Sequence, residues 1–221
     1  MRLIRSRRVG PATFYRLLEE HGSTQAALAA LPDIAQAAGI AGYAPCPLAA
    51  VQAELSAGRR AGARLLSCFD ADYPQALRDI PEAPPVIWVK GDLSALNRPQ
   101  IAVIGARNAS SLGLRMARTL AGGLSRAGIV TVSGLARGID TVAHEASLAT
   151  GTIAVMAGGI DVIYPAENTE LAARICETGL LLSEQPPASP LSRAISPPAT
   201  ASSRRSASAW SWSRRQSARA A

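Results

Sequence analysis

The chain has 221 residues with 48% hydrophobic and 4% aromatic side chains and a net charge of +7. This length suits one ordinary domain and a smaller one, with a core filled mainly by aliphatic side chains. No apolar run reaches the ~18 residues of a membrane span, and the charged start lacks the apolar segment of a secretory signal. Three scattered cysteines without metal-ligand spacing predict reduced thiols in the cytoplasm.

The positive charge is concentrated at the end of the chain. Residues 188–221 contain six arginines and no acidic residue, which leaves +1 of the total +7 for residues 1–187. This last segment is rich in Ser and Ala and shows no periodicity, so we predict a disordered basic tail. Because residues 1–187 are nearly neutral, an anion-binding site among them must depend on a few positive charges close to the anion.

The first forty residues predict short helices. Gly10 and Pro11 open a helix that Gly22 ends, and a second short helix over 25–31 is expected to stop at Pro32. This pattern is typical of a helix-hairpin-helix or SAM-like unit, which can present backbone N–H groups to a phosphate. A small packing module without ligand is the alternative. A turn-rich linker is predicted at 41–47 and a helix at 48–60.

From residue 63 onward, short apolar strands alternate with helices. Apolar segments of this length without polar alternation are buried on both faces, as in parallel sheets. The alternation predicts an α/β fold with a doubly wound, Rossmann-like, mostly parallel sheet after a small all-helical domain. The strands are predicted at 63–70, 83–93, 101–106, 129–134, 152–159 and 179–185, and the helices at 72–80, 111–127, 138–149 and 168–178. The predicted domains are 1–47, 48–187 and the tail 188–221.

Two strand-end loops carry the candidate site, because ligands of such sheets bind beyond the carboxyl ends of strands. Arg107 in the first loop and Arg137 in the second offer permanent charges suited to phosphate oxygens. Arg107 obstructs the close backbone approach that a pyrophosphate needs, so the pocket fits a phosphodiester backbone better than a dinucleotide. This pocket would hold Arg107 and Arg137, with Lys90 and Asn108 as further members.

Other polar residues near these loops fit local structural roles. Helix caps are expected from Ser110 or Ser111, from Asp140 or Thr141, and from Asn168. His144 is interpreted as a helix-surface or cap histidine rather than a base. No serine-nucleophile motif, phosphate-binding Walker loop or metal cluster occurs, so no catalytic residue, cofactor or metal is predicted.

The order and spacing of several segments resemble the DNA-processing protein A family (DprA, also called Smf) over 65–187 and more loosely over 1–40. The segments are DYPQALRDI, PPVIWVKGDL, AVIGARNAS, VSGLARGIDTVAH, GTIAVMAGGIDVIYPAEN and GLLLSEQPP. The resemblance implies a non-enzymatic, cytoplasmic, dimeric protein whose extended Rossmann domain binds single-stranded DNA. It further implies protection of incoming DNA during natural transformation (competence) and delivery to RecA for recombination.

The resemblance also implies roles for particular residues. Gly105, Ala106 and Arg107 match the family's glycine-x-arginine loop, whose arginine contacts phosphate. Ser133, Gly134 and Arg137 match its second loop. With Asn108 beside the first loop, the resemblance thus makes the following the candidate DNA-binding residues: Gly105, Arg107, Asn108, Ser133, Gly134 and Arg137.

The chain departs from the family after Pro187. A His-Phe-Pro…Arg-Asn-Arg segment should follow, yet AISPPATASSRRSASAWSWSRRQ stands at 194–216. Reading the codons one nucleotide earlier, from Ala194, can restore this segment and a later run of valines ending in Glu-Ala. We therefore hypothesise a frameshift, genomic or in sequencing, which the nucleotide sequence tests. Such a product would lack later strands, part of the DNA pocket and the dimer surface, and would expose a sheet edge and apolar faces.

Two alternatives remain at this point. A Rossmann-like nucleotide or phosphoribosyl hydrolase would also use glycine loops. Such hydrolases carry Gly-Gly-x-Gly-Thr before a catalytic glutamate, whereas Gly158 and Gly159 are followed by Ile-Asp-Val here. In the other alternative, the Arg/Ser tail is a general nucleic-acid adhesive.

Overall fold

The computed structural model describes residues 1–189. The helices are α1 (Arg2–Arg5), α2 (Pro11–His21), α3 (Thr24–Ala37), α4 (Leu48–Arg60), α5 (Gln75–Arg78), α6 (Ser111–Arg126), α7 (Ile139–Ser147) and α8 (Thr169–Thr178). The strands are β1 (Arg64–Ser67), β2 (Val86–Gly91), β3 (Gln100–Ala102), β4 (Val130–Ser133), β5 (Thr152–Met156) and β6 (Leu180–Ser183). Short 3₁₀ turns occur at Leu93–Asn97, Leu148–Thr150 and Ala166–Asn168.

None of the helices in this part of the chain combines the length and the apolar character that crossing a membrane requires. The predicted tail, apart from Ala188 and Ser189, lies outside the described residues, and so does the segment on which the frameshift hypothesis rests. Those two predictions therefore stay predictions.

The N-terminal helices pack around a small apolar cluster that includes Leu17 and Leu31. Helix α2 begins at Pro11 and is followed by Gly22 at φ 71°, as predicted. The prediction that Pro32 ends the next helix is wrong, because α3 continues through it to Ala37. Leu31 and Ala35 lie one turn apart and are both buried, and this burial compensates for the backbone hydrogen bond that proline cannot donate.

A partly buried carboxylate joins the helical domain to the sheet. Glu54 on α4 accepts from Arg5 at 2.7 Å and from the indole N–H of Trp88 at 3.0 Å. Gly58, one turn further along α4, lets the helix approach the Trp88 ring, since a Cβ at this position would lie 2.0 Å from it. Trp88 is 1% exposed, so its N–H requires this partner.

The six strands form one mixed sheet in the order β1-β2-β6-β5-β4-β3. Strands β3 to β6 pair in parallel, while β1 pairs with β2 and β2 with β6 in antiparallel fashion. The mostly parallel, Rossmann-like sheet is thus confirmed. The predicted doubly wound strand order does not occur within residues 1–189. The parallel strands lie side by side in chain order from β3 to β6, and β6 pairs next with the antiparallel strand β2. No described strand pairs with the outer side of β3.

Apolar clusters cover both faces of the sheet. On one face, α8 and residues near β1 pack over Trp88, Ala154 and Leu181. On the other face, Tyr73 and Leu77 pack over strand residues that include Ile153. The loops that follow the carboxyl ends of β3 and β4 form the candidate site.

Candidate nucleic-acid interface

The two predicted strand-end loops are in direct contact. Gly138 adopts φ 80°, and a Cβ there would lie 2.3 Å from the carbonyl oxygen of Ala106 and 2.5 Å from that of Arg107. The backbone N–H of Ile139 donates to the Ala106 carbonyl at 3.3 Å. Only glycine tolerates both this backbone conformation and this close approach. The structure therefore unites residues 105–107 with residues 133–137, as the sequence predicts.

Ser133 and Gly105 form the base of this contact. The Ser133 hydroxyl is buried and donates to the Val103 carbonyl at 2.6 Å, linking the ends of β4 and β3. Gly105 lies against Ile139, where a Cβ would approach to 2.6 Å. The chain leaves the sheet near Ile104, so β3 is shorter than the strand predicted at 101–106.

The buried carboxylate of Asp140 organises the second loop. It accepts from the backbone N–H of Gly134 at 3.2 Å and of Ala136 at 3.4 Å. Burial raises the pKa of Asp140, and the hydrogen bonds from Ala136 and Gly134 oppose that effect. Asp140 therefore does not cap α7, whose N-cap residue is Gly138. Loop amides that could bind a phosphate are instead bonded internally.

Asn168 and Thr141 fix the same loop from the other side. The Asn168 side-chain amide donates to the Leu135 carbonyl and to the Thr141 hydroxyl, each at 2.9 Å. Thr141 in turn donates to the Ala136 carbonyl at 2.7 Å. Leu135 is 1% exposed and has φ 57°, a strained backbone conformation for a non-glycine residue. Its burial and the hydrogen bonds of Asn168 and Thr141 stabilise this turn. Asn168 is the N-cap residue of α8, as predicted, but its side chain binds the loop rather than helix amides. The predicted cap role of Thr141 is wrong, because the N-cap residue of α7 is Gly138 and the Thr141 hydroxyl binds the loop.

The arginines project from this fixed frame. Arg107 and Asn108 are exposed, and Arg107 forms no ion pair with any residue in 1–189. Arg137 is exposed as well and pairs with Glu167 at 2.5 Å. Ser110 caps α6 beside the first loop by accepting from the Gly113 N–H at 3.2 Å, as predicted. Two guanidinium groups and a helix N-terminus are thus exposed to solvent beyond the carboxyl ends of β3 and β4.

Lys90 does not belong to this site. It lies on β2, which joins the sheet beyond β6, three strand spacings from β4 or about 14 Å at ~4.8 Å each. Its side chain lies beside Gly62, and its charge acts on Cys176 of α8. The sequence prediction failed because it could not show where β2 enters the sheet.

Residues 186–189 cover the glycine turn that follows β5, at Gly158 and Gly159. The Gly159 N–H donates to the Ser189 carbonyl at 3.0 Å, and the Ala188 N–H donates to Asp161 at 2.7 Å. A Cβ at Gly159 would lie 2.6 Å from the Pro186 carbonyl oxygen. The first two residues of the predicted disordered tail are therefore bonded to this turn. A hydrolase that binds phosphate at Gly158 and Gly159 finds no support in this geometry.

His144 is fully buried between α7 and β5, which corrects its assignment to the helix surface. Its Nδ1 lies 2.8 Å from the Thr152 hydroxyl, which donates to the Thr131 carbonyl at 2.7 Å. Nδ1 must therefore donate, and Nε2 is left as a buried nitrogen without a partner. Burial lowers the pKa of His144 to about 3, so the ring is neutral and out of reach of a substrate. Residues 1–189 contain no group of His, Cys, Asp and Glu that could hold a metal ion.

Two family models match the chain. The model described as DNA recombination-mediator protein A matches residues 64–197, and a DprA-like N-terminal HHH domain matches residues 1–57. The second match agrees with the helix-hairpin-helix interpretation of the first helices. The segments that carry the sequence resemblance fall within the first match.

Curated relatives are similar over the same region. The DNA processing protein DprA of Bacillus subtilis is 40% identical over 136 residues, covering 60% of this chain and 46% of that protein. DprA of Streptococcus pneumoniae is 43% identical over 123 residues, covering 55% and 43%. The chain thus spans less than half the length of these relatives.

Solved structures agree with the fold. The crystal structure of DprA from S. pneumoniae superposes with a TM-score of 0.63 at 32% identity, covering 85% of this chain and 71% of that one. DNA processing protein A from Helicobacter pylori, solved for its single-stranded DNA binding mode, has a TM-score of 0.54 at 30% identity, covering 59% of each chain. From its sheet, its strand-end loops and these matches, the chain belongs to the DNA recombination-mediator protein A family, which includes DprA and Smf.

Proposed function

We propose that this chain binds single-stranded DNA through its sugar-phosphate backbone at the carboxyl ends of β3 and β4. The observation that carries the proposal is the direct contact of two loops that present Arg107 and Arg137 from adjacent strands. Guanidinium groups bind phosphate oxygens through paired hydrogen bonds. Because backbone contacts carry no base information, we expect weak sequence preference.

The internal bonding of the loops favours an extended phosphodiester over a small nucleotide. Nucleotide phosphates are usually held by several free backbone N–H groups. Here Asp140 accepts from the amides of Gly134 and Ala136, and residues 186–189 cover Gly159. The exposed groups are side chains spread along an open edge, which suits a chain of phosphates. The single-stranded DNA binding mode of the H. pylori relative supports the same assignment.

We further infer, from the family, a role in protecting incoming DNA and delivering it to a RecA-type recombinase during natural transformation. The working form would be a cytoplasmic homodimer, and the role would be binding rather than catalysis. The buried position of His144 supports a role without acid-base chemistry at this edge. If the frameshift hypothesis holds, restoring the reading frame should raise DNA affinity and the capacity to dimerise.

The test is the binding of fluorescent oligo-dT and of a duplex of equal length to the full chain by anisotropy across a salt series. Arg107→Ala should weaken oligo-dT binding about tenfold, because a charge-assisted phosphate contact is lost. It should also reduce the slope of log K against log salt by about 0.7. The matched control is Arg126→Ala, since Arg126 is exposed at the far end of α6, about 22 Å of helix away.

Preference for duplex, or equal affinity for wild type and Arg107→Ala, would contradict the proposed function. For the recombinase step, oligo-dT carried by this chain should nucleate RecA filaments faster than oligo-dT coated with a general single-strand binding protein. Absence of that acceleration would remove the delivery role while leaving DNA binding in place.

A further inference from the structure

The two arginines of the interface have different surroundings. The Arg137 guanidinium lies 2.5 Å from a carboxylate oxygen of Glu167, and the two side chains are 60% and 63% exposed. Arg107 has no such partner within residues 1–189. A phosphate can therefore bind Arg107 directly, whereas at Arg137 it meets an occupied guanidinium.

The turn that contains Glu167 is hydrogen bonded to the loop that presents Arg137. Glu167 lies in the 3₁₀ turn Ala166–Asn168, and the next residue, Asn168, donates to the Leu135 carbonyl and to the Thr141 hydroxyl. Leu135 is two residues from Arg137 in the same turn. The backbone of Glu167 is thus anchored to the loop that presents Arg137, which distinguishes this pair from a chance contact between long surface side chains.

We propose that Glu167 competes with the phosphates of single-stranded DNA for Arg137 and thereby sets the affinity of the interface. This inference rests on the proposed function. When the strand binds, a phosphate takes the place of the carboxylate on the guanidinium, and the Glu167 side chain turns into solvent. The exposure of both side chains leaves room for this exchange.

Glu167 is charged under ordinary conditions. The hydrogen bond from its own backbone N–H and that from Arg137 lower the pKa of its carboxyl. Exposed ion pairs of this type are weak, so DNA should displace the carboxylate rather than be blocked by it. The expected consequence is an adjustment of affinity of about two- to fivefold.

The experiment compares oligo-dT binding by full-length wild type and Glu167→Gln in a salt series. The variant should bind about two- to fivefold more tightly, because no carboxylate then competes with the phosphate for Arg137. Glu177→Gln is the matched control. Glu177 is an exposed residue of the last turn of α8, and its substitution removes the same charge as Glu167→Gln does. It should leave affinity within about 1.5-fold of wild type.

A double-mutant cycle assigns the effect to the pair. In the Arg137→Ala background, Glu167→Gln should change affinity no more than Glu177→Gln does. Glu167→Ala, which cannot hydrogen bond to Arg137, should reproduce the gain. Thermal unfolding of each variant checks that the fold is retained.

Three results would overturn the inference: unchanged affinity in Glu167→Gln, weaker binding, or an equal gain without Arg137. Weaker binding would mean that Glu167 orients Arg137 toward DNA instead. These outcomes are separate from failure of the proposed function, which would appear as wild-type binding that does not depend on Arg107.

Discussion

At the scale of single residues, the buried ring of His144 links folding to pH. Its pKa is lowered from 6.5 to about 3 by burial, and Nε2 has no partner to stabilise a proton. The unfolded chain takes up a proton below pH 6.5, whereas the folded chain does so only near pH 3. The stability due to a neutral ring is therefore fully present above pH 6.5 and is lost as pH falls toward 3, by at most ~1.4 kcal/mol per pH unit.

His144→Asn should remove this dependence while retaining an N–H donor for Thr152. Urea unfolding of wild type and variant between pH 7 and 4 gives the measurement. The difference in free energy of unfolding between them should shrink as pH falls, by up to ~3 kcal/mol over this range. Other groups titrate in both proteins and cancel in the difference. A difference that stays constant with pH would mean that the folded ring accepts a proton.

At the scale of elements, the crossing of the two loops depends on Gly138. Its φ of 80° and its approach to the carbonyl oxygens of Ala106 and Arg107 leave no space for a side chain. Gly138→Ala should lower the free energy of unfolding by more than ~1 kcal/mol and separate the loops that present the two arginines. Oligo-dT affinity should fall with it.

Gly123→Ala provides the comparison for this change. Gly123 lies inside α6, and a Cβ there meets nothing within 4 Å. Alanine at this position should raise stability by ~0.5–1 kcal/mol and leave DNA binding unchanged. Urea unfolding and anisotropy measure both variants. Gly138→Ala with wild-type stability would contradict the account of the loop crossing.

Local sequence patterns were sufficient for most elements and for the pairing of the loops. Regular βα alternation places Arg107 and Arg137 at neighbouring strand ends, and the structure agrees. The partners of Asp140 and Asn168 could not be predicted, because each side chain fits a helix cap in sequence but binds a loop that only the tertiary fold brings near. The prediction that Lys90 belongs to the site failed for the same reason, because local sequence patterns do not determine the order of strands in a sheet. Pro32 shows burial overriding an intrinsic helix-breaking preference.

At the scale of the whole molecule, helix α6 exposes an apolar stripe. Leu112, Met116 and Leu120 recur every four residues along α6 and are 61%, 64% and 56% exposed. They form an exposed apolar stripe on α6, and the outer side of β3 pairs with no described strand. An exposed apolar stripe and an unpaired strand edge each favour association between molecules.

Replacing Met116 and Leu120 with Gln should therefore reduce aggregation, measured by static light scattering at increasing protein concentration. Because both side chains are exposed, the free energy of unfolding should change by less than ~0.5 kcal/mol. Leu48→Gln, a change at a 57% exposed residue of α4, is the control and should have little effect. Equal aggregation of wild type and the double variant would show that the stripe is not responsible.

The most direct test of the central claim is a map of backbone amide chemical-shift changes as oligo-dT is added to the full chain. Phosphates bound at the strand ends should move the signals of residues 104–113 and 134–138 most strongly, and Arg107→Ala should reduce these changes together with the affinity. Changes concentrated instead in the N-terminal helices around Gly10 and Gly22, with the strand-end loops unmoved, would contradict the account.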